Sequence, residues 1–267
     1  MRVTILASGS GGNATLVQAG GTRILVDAGV GPKVVEARMR RALGEPVGLD
    51  GIVLTHPHGD HVGKVIPVAN HFDAPVFVTQ ATRRRLALEG LRTRVFGAAA
   101  AFDIGAIRVE PTPIPHDAPQ IALVFEHRFA RAGLVTDLGH VPRHLAAHLA
   151  GCQLLLLESN HDPAMLANGP YPEFLKKRIA SREGHLSNQQ AAGLLAGLGR
   201  DTREVVLMHL SEKCNSPMLA LASARAAIGD RRVKVRCAAQ DEPLDLQVRW
   251  STAVKKRVHA SQLALPI

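Results

Sequence analysis

The stretch Thr55-His56-Pro57-His58-Gly59-Asp60-His61 constrains this chain more than any other. It sets three imidazoles and one carboxylate close together, directly after Gly51-Ile52-Val53-Leu54, an apolar run that reads as a buried strand. So dense a group of titratable side chains is costly to bury unless something pairs with it, and a divalent metal ion does that well. In an extended turn His56 and His58 project to the same side, whereas Asp60 and His61 enter the next turn and can face a second ion. Gly59 lets the backbone approach closely. A polar surface loop, or a helix start with Asp60 near the cap, is the plainer alternative. The strand-to-helix setting favours the metal.

The rest of the chain is compatible with one large α/β domain. Its 267 residues are 46% hydrophobic and 21% charged, an ordinary globular composition. A formal net charge of +9 fits a polyanionic partner. Aromatic residues are only 3%, which argues against a single-strand binder that relies on rows of stacking rings. Cys152, Cys214 and Cys237 have no metal-like spacing and make no disulfide framework. The first residues lack the charged segment of a signal peptide, and no run approaches the length of a membrane span. The expectation is a soluble, cytoplasmic protein.

Strand and helix signals alternate. Strands are expected over 3–7, 14–18, 22–27 and 51–55, with Gly20-Gly21 as a hairpin turn. Later strands fall at 75–79, 107–111, 121–126, 132–136, 153–157 and 204–208. Helical spacing appears at 32–43, 62–71, 81–91, 172–180, 187–198 and 217–228. Ser187 and Gln190 form a capping-box pattern, and Pro217 begins the last helix. The early hairpins imply mixed sheets, not purely parallel ones.

The H-x-H-x-D-H pattern after a short apolar strand resembles the metallo-β-lactamase superfamily, and the likeness spans nearly the whole chain. Four further residues each close an apolar strand where that family places site residues: Asp27, His116, Asp137 and His209. The resemblance implies an α/β fold of the αββα type, a sandwich of two mixed β-sheets flanked by helices. It also implies two divalent metal ions, Zn2+ or Mn2+. His56, His58 and His116 would hold one, Asp60, His61 and His209 the other, and Asp137 would bridge them. Asp27 would stand behind the ligands. Two such ions hold a shared hydroxide and clamp both oxygens of an in-line displacement, which suits a phosphodiester.

The series Glu158-Ser159-Asn160-His161-Asp162, Tyr171-Pro172, Gly184-His185-Leu186-Ser187-Asn188 and His209-Leu210-Ser211 is similar to the YycJ/WalJ-type branch. One departure is Cys214-Asn215, where two asparagines are expected. The branch implies 5′-to-3′ exonuclease action on DNA, in repair. A small-molecule or cyclic-nucleotide phosphodiesterase of the PhnP type, an RNA-processing nuclease and a glyoxalase-II-like thioester hydrolase are the alternatives. His185 lies where related phosphodiesterases keep a histidine near the scissile group, and by that resemblance it would protonate the leaving oxygen. The alternative is a loop histidine that only supports the helix start. His185 and Asp60 are the expected catalytic residues.

Asn160 and His161 are expected to touch substrate, although His161 could instead shape the turn before Asp162-Pro163, which read as helix cap and first helical residue. Ser10 and Asn13, in the glycine-rich loop near the family's active-site edge, are expected to meet a phosphate. Residues 1–250 read as the catalytic domain and 251–267 as a basic tail. The tail ends in Gln262-Leu263-Ala264-Leu265-Pro266-Ile267. That end resembles the short bacterial sliding-clamp-binding motif, with Gln262, Leu263 and Leu265 as its contacts; a frayed terminus is the alternative. DNA and a sliding clamp are thus the expected partners, with no membrane.

Overall fold

Two seven-stranded mixed sheets pack face to face. The computed structural model describes residues 1–248, so the basic tail, with Gln262, Leu263 and Leu265, lies outside the described residues. The first sheet starts with β1 (Arg2–Ala7), β2 (Ala14–Ala19) and β3 (Thr22–Val26) as antiparallel neighbours. Gly20 and Gly21 make the tight turn between β2 and β3 with φ of 57° and 82°, values that residues with a Cβ rarely adopt. Helix α1 (Pro32–Leu43) leads to β4 (Gly51–Val53), which joins parallel to β3. After the His56–His61 turn, α2 (Gly59–Val62) and α3 (Val65–Phe72) cross over to β5 (Val76–Thr79). Helix α4 (Gln80–Arg83) then precedes β6 (Thr93–Phe96), and β4, β5 and β6 are parallel.

The second sheet repeats this logic. A meander of β7 (Phe102–Ile104), β8 (Ile107–Ile114), β9 (Gln120–His127) and β10 (Ala130–Val135) is antiparallel. Helix α5 (Leu145–His148) precedes β11 (Leu154–Glu158), and α6 (Pro163–Asn168), α7 (Glu173–Ile179) and α8 (Asn188–Ala196) precede β12 (Glu204–Met208). Helix α9 (Pro217–Ile228) connects to β13 (Lys234–Cys237), and β10 to β13 are parallel. The last strand, β14 (Leu244–Gln247), returns to the first sheet beside β1. Just beyond it the Val248 amide donates to Met1 O at 2.8 Å.

Layering follows from side-chain alternation. In β11 every residue is buried; Leu154 and Leu156 join Ile5, Ile24, Leu123 and Phe125 between the sheets, while Leu155 and Leu157 face α8 and α9. A strand covered on both faces needs no polar alternation, which is why this run is nearly all leucine. On the other side Leu16, Leu25 and Ile52 pack under Val35 and Met39 of α1 and Val68 of α3. Each such side chain contributes about 1.5–3 kcal/mol when fully buried. The αββα sandwich implied by the sequence is therefore the observed fold.

Local differences have local causes. Strand β8 continues past residue 111 through Pro111 and Pro113 because β7 pairs only Ile107–Val109, leaving those prolines without a missing bond on that side. The helix expected over 81–91 stops at Arg83; tight turns follow, closed by the Leu86 amide on Arg83 O and the Leu91 amide on Leu88 O. Gly90 there has φ of 83°. Strands β6, β7, β13 and β14 were not expected, since they are short, lie at or near sheet edges and carry charged residues. Asp162 does cap α6, accepting from the Ala164 and Met165 amides, and Ser187 and Gln190 do form the capping box of α8.

Burial pushes the Cys152 thiol up to about 12, against an opposing pull from Arg131. At pH 8 it therefore holds its proton and lacks the reactive thiolate. Mass-spectrometric mapping after brief iodoacetamide treatment at pH 8 should find Cys152 unmodified in the native protein and modified in urea. Modification of native Cys152 as fast as that of the partly exposed Cys237 would contradict its burial.

Candidate metal centre

The carboxyl ends of six strands meet at one edge of the sandwich. Asp27 follows β3, His56 to His61 follow β4, His116 follows β8, Asp137 follows β10, Glu158 ends β11 and His209 follows β12. Asp27, Asp137 and His209 all have left-handed backbones, with φ of 61°, 54° and 54°. A non-glycine residue held there costs on the order of 1–3 kcal/mol. The abrupt turn lifts each side chain off its strand and re-aims it into the space above the sheets.

Donor atoms converge in groups, each within 4.8 Å: His56, His58 and His116; Asp60, His61 and His209; His56, His61 and Asp137; and Asp137, Glu158, His185 and His209. His116 Nε2 lies 3.3 Å from His58 Nδ1, and Asp60 Oδ2 lies 3.2 Å from His209 Nε2 and 3.5 Å from His61 Nε2. Two donors each about 2.1 Å from a tetrahedral ion stand roughly 3.4 Å apart, so the spacing fits. Two buried atoms support the same reading. His56 Nε2 has no hydrogen-bond partner. Asp137 Oδ2 has none either, although His61 Nε2 approaches it to 3.0 Å. Orphaned polar atoms at such depth are expensive unless a cation completes them.

The outward nitrogens are fixed by partners that decide which inner nitrogen is offered. His61 Nδ1 donates to Asp27 Oδ2 at 2.7 Å, and the Thr55 amide and hydroxyl lock that carboxylate in turn. His56 Nδ1 is within 3.0 Å of Thr55 Oγ1 and 3.1 Å of Gln120 Nε2. His116 Nδ1 donates to Gly184 O at 3.0 Å. His58 turns Nδ1 inward and sets Nε2 3.2 Å from Asp117 Oδ1.

Electrostatics match a centre rich in negative charge. Burial alone would hold His209 neutral, but Asp137, Asp60 and Glu158 push its imidazole up to about 10. Burial would raise Asp60, yet the bond from His209 and the neighbouring His61 hold it below the usual carboxylate range. Burial drives His56 well down.

Above these groups opens a cavity of about 490 Å3. Of the expected site residues, His58, Asp60, Asp137, His209, His185, Ser10 and Asn160 line it. Asn13 is buried instead, its amide bonded to Gly9 O and 3.3 Å from Asp60 Oδ2, so it braces the ligand turn and has no exposed face for a phosphate. His161 is also withdrawn. It lines a separate cavity of about 310 Å3 between α6 and α7, and burial pushes it down to about 4. Asn160 donates to His209 O at 2.9 Å. Behind it, Ser159, Asn188 and Asn215 form a closed, buried network; the asparagine at 215 is the one this network uses.

Asp117, Gln120 and above all Glu158 belong to the site without having been expected there. Glu158 is fully buried and accepts from the Leu138 and Leu186 amides at 2.9 Å each through Oε2. Oε1 takes His185 Nδ1 at 2.7 Å. Burial would raise its carboxyl, but His185 and His209 pull it down to about 2. The same contact raises His185. The signal for Glu158 was a lone carboxylate closing an apolar strand, as at Asp27.

The sequence profile of the β-lactamase superfamily domain matches residues 22–210. Exodeoxyribonuclease YycJ of Bacillus anthracis is 32% identical over 240 residues, covering 86% of this chain and 90% of that protein. Exodeoxyribonuclease WalJ of Streptococcus pneumoniae serotype 2 is 31% identical over 231 residues, covering 82% and 85%. Among solved structures, the metallo-β-lactamase fold protein YhfI of Bacillus subtilis superposes with a TM-score of 0.71 at 17% identity, over 91% of this chain and 98% of that one. Fold and donor cluster together define a metal-dependent hydrolase. The chain belongs to the metallo-β-lactamase-fold hydrolases, in the YycJ/WalJ-like branch.

The ligand turn is zipped to its neighbours by backbone: Asn13 N donates to Asp60 O, Gly29 N to Asn13 O and Ala28 N to His61 O. A Cβ on Gly29 would sit 1.8 Å from Asp60 O, whereas one on Gly31 would meet nothing within 4 Å. Gly29→Ala should therefore cost about 1–3 kcal/mol in urea unfolding and lower bound metal measured by atomic spectroscopy. Gly31→Ala should do neither. Equal metal content in the two variants would show that the zipped loops do not set the centre.

Proposed function

We propose that this protein is a dinuclear metal-dependent phosphodiesterase that degrades DNA from the 5′ end and serves in DNA repair in the cytoplasm. The observation that carries the reading is the junction of the clustered donors with the His185–Glu158 pair on one open cavity. The 32% identity to an exodeoxyribonuclease over most of both chains supplies the substrate class. His56, His58 and His116 would hold one ion, Asp60, His61 and His209 the second, with Asp137 shared; histidine and carboxylate together suit Zn2+ or Mn2+. Bound there, two such ions would supply an activated water and neutralise charge on an in-line displacement at phosphorus.

The chain's own residues do the rest. Glu158 accepts the Nδ1–H hydrogen bond of His185 and stabilises its imidazolium, whose Nε2–H would give a proton to the leaving oxygen. Asp27 and Asp117 orient His61 and His58. Asn160 anchors His209 through its carbonyl. Residues 1–250 constitute the catalytic domain in this reading, and the tail of residues 251–267, through Gln262, Leu263 and Leu265, brings it to a sliding clamp on DNA. Among the described residues no helix is long and apolar enough to cross a membrane.

The test is mononucleotide release from 5′-labelled and 3′-labelled duplex DNA and RNA with zinc or manganese. Early release of the 5′ label from DNA is expected, falling steeply with added salt. His185→Ala should lower kcat about a hundredfold or more while retaining bound metal, and His58→Ala should lose both. Turnover of a small phosphodiester with no cleavage of any polymer would sink the nuclease reading.

A further inference from the structure

Helix α7 forms the outer wall of the cavity, yet none of its residues is buried. Leu175, Arg178 and Ile179 face the cavity together with Tyr171, just ahead of the helix, at the three- and four-residue spacing of one stripe. The chain holds a single tyrosine, and this is where it sits. Lys213 Nζ lies 5.9 Å from its ring centre. Phe174, on the next turn, is 74% exposed, an unusual position for so large an apolar side chain in a chain this poor in aromatics.

Arg178 gives the stripe its charge. Its guanidinium is half-exposed and donates through Nε to Asp117 Oδ2 at 2.7 Å. The other oxygen of Asp117 meets His58. The arginine is thus held beside the candidate metal centre by a carboxylate that also orients a ligand, with donors left for a second anion. An aromatic face and a fixed guanidinium on one wall of a cavity this size match a base and a phosphate of one nucleotide.

We propose that Tyr171 and Arg178 form a subsite for the 5′-terminal nucleotide, the ring stacking on its base and the guanidinium taking its 5′-phosphate. This rests on the nuclease reading above and names the end that the enzyme selects. A phosphodiester without a base would have no use for the stripe; a DNA end supplies both groups at once.

Steady-state mononucleotide release from blunt duplexes with 5′-phosphate or 5′-hydroxyl ends tests it, with bound metal measured in every variant. Tyr171→Ala should raise KM at least tenfold while kcat changes less than twofold, and Tyr171→Phe should restore KM. The wild type should prefer the phosphate end by fivefold or more in kcat/KM. Arg178→Gln should abolish that preference and lower the slope of log KM against log salt by about 0.9, the value of one phosphate contact. An unchanged KM in Tyr171→Ala overturns the subsite, as does a wild type indifferent to the end group. Loss of metal in Arg178→Gln would reduce that residue to a support for His58 through Asp117 and overturn its phosphate role. A wild type that cuts no DNA overturns the nuclease reading and the subsite with it.

Discussion

Asp137 is about 1% exposed, and a lone carboxylate at that depth would not survive folding in ionised form. It persists because imidazoles surround it: His61 at 3.0 Å, His185 at 3.5 Å and His209 at 3.6 Å. Burial would raise its carboxyl, yet His209, His61 and His56 hold it well below the usual range. Each partner arrives from a different strand or loop, and each is tied down elsewhere, by Asp27, by Glu158 and by Asn160. The arrangement is a lattice of mutual dependence. Removing one member strands its neighbours as unpaired buried charges, which is far more damaging than losing one contact.

The sandwich supplies the strand ends that this lattice needs. In both sheets an antiparallel meander gives way to parallel strands, at β3 in the first and β10 in the second. Asp27 and Asp137 stand just beyond those two strands, both in the left-handed region. Parallel strands send successive chain segments to the same edge, so His56, Glu158 and His209 arrive beside them. The chemistry is therefore placed by topology, while the strained backbone at three positions sets its aim.

Much of the candidate donor set was legible because Asp27, His56, His116, Asp137 and His209 come at or just after strand ends, while His58, Asp60 and His61 crowd into the turn that follows β4. Glu158 obeys the same rule behind four leucines, but its role depends on the two amides and the imidazole that meet it, and these come from distant segments. Asn13 and His161 lie away from the main cavity for the converse reason. Their polarity suggested substrate, whereas the fold turns one inward against Asp60 and the other into a neighbouring cavity. The short strands at the sheet margins carry too few residues to show a period of two, and in β6 and β13 charged side chains obscure it further. Helices α1 and α9, each opened by a proline, span the residues expected, whereas α7 and α8 are shorter at both ends than the sequence suggests.

The pairing of β14 with β1 has a geometric consequence. Leu244 lies opposite Ile5 and Gln247 opposite Arg2, so the strand runs away from the edge that carries the donor cluster as it nears its end. Val248 is consequently hydrogen-bonded to Met1 at the pole of the sandwich farthest along β1 from the Ser8–Asn13 loop. Both exits of the catalytic fold are thus adjacent, and both open on the blind side of the molecule. A tether attached at that pole can be pulled, anchored or lengthened without ever being drawn across the mouth through which substrate must enter.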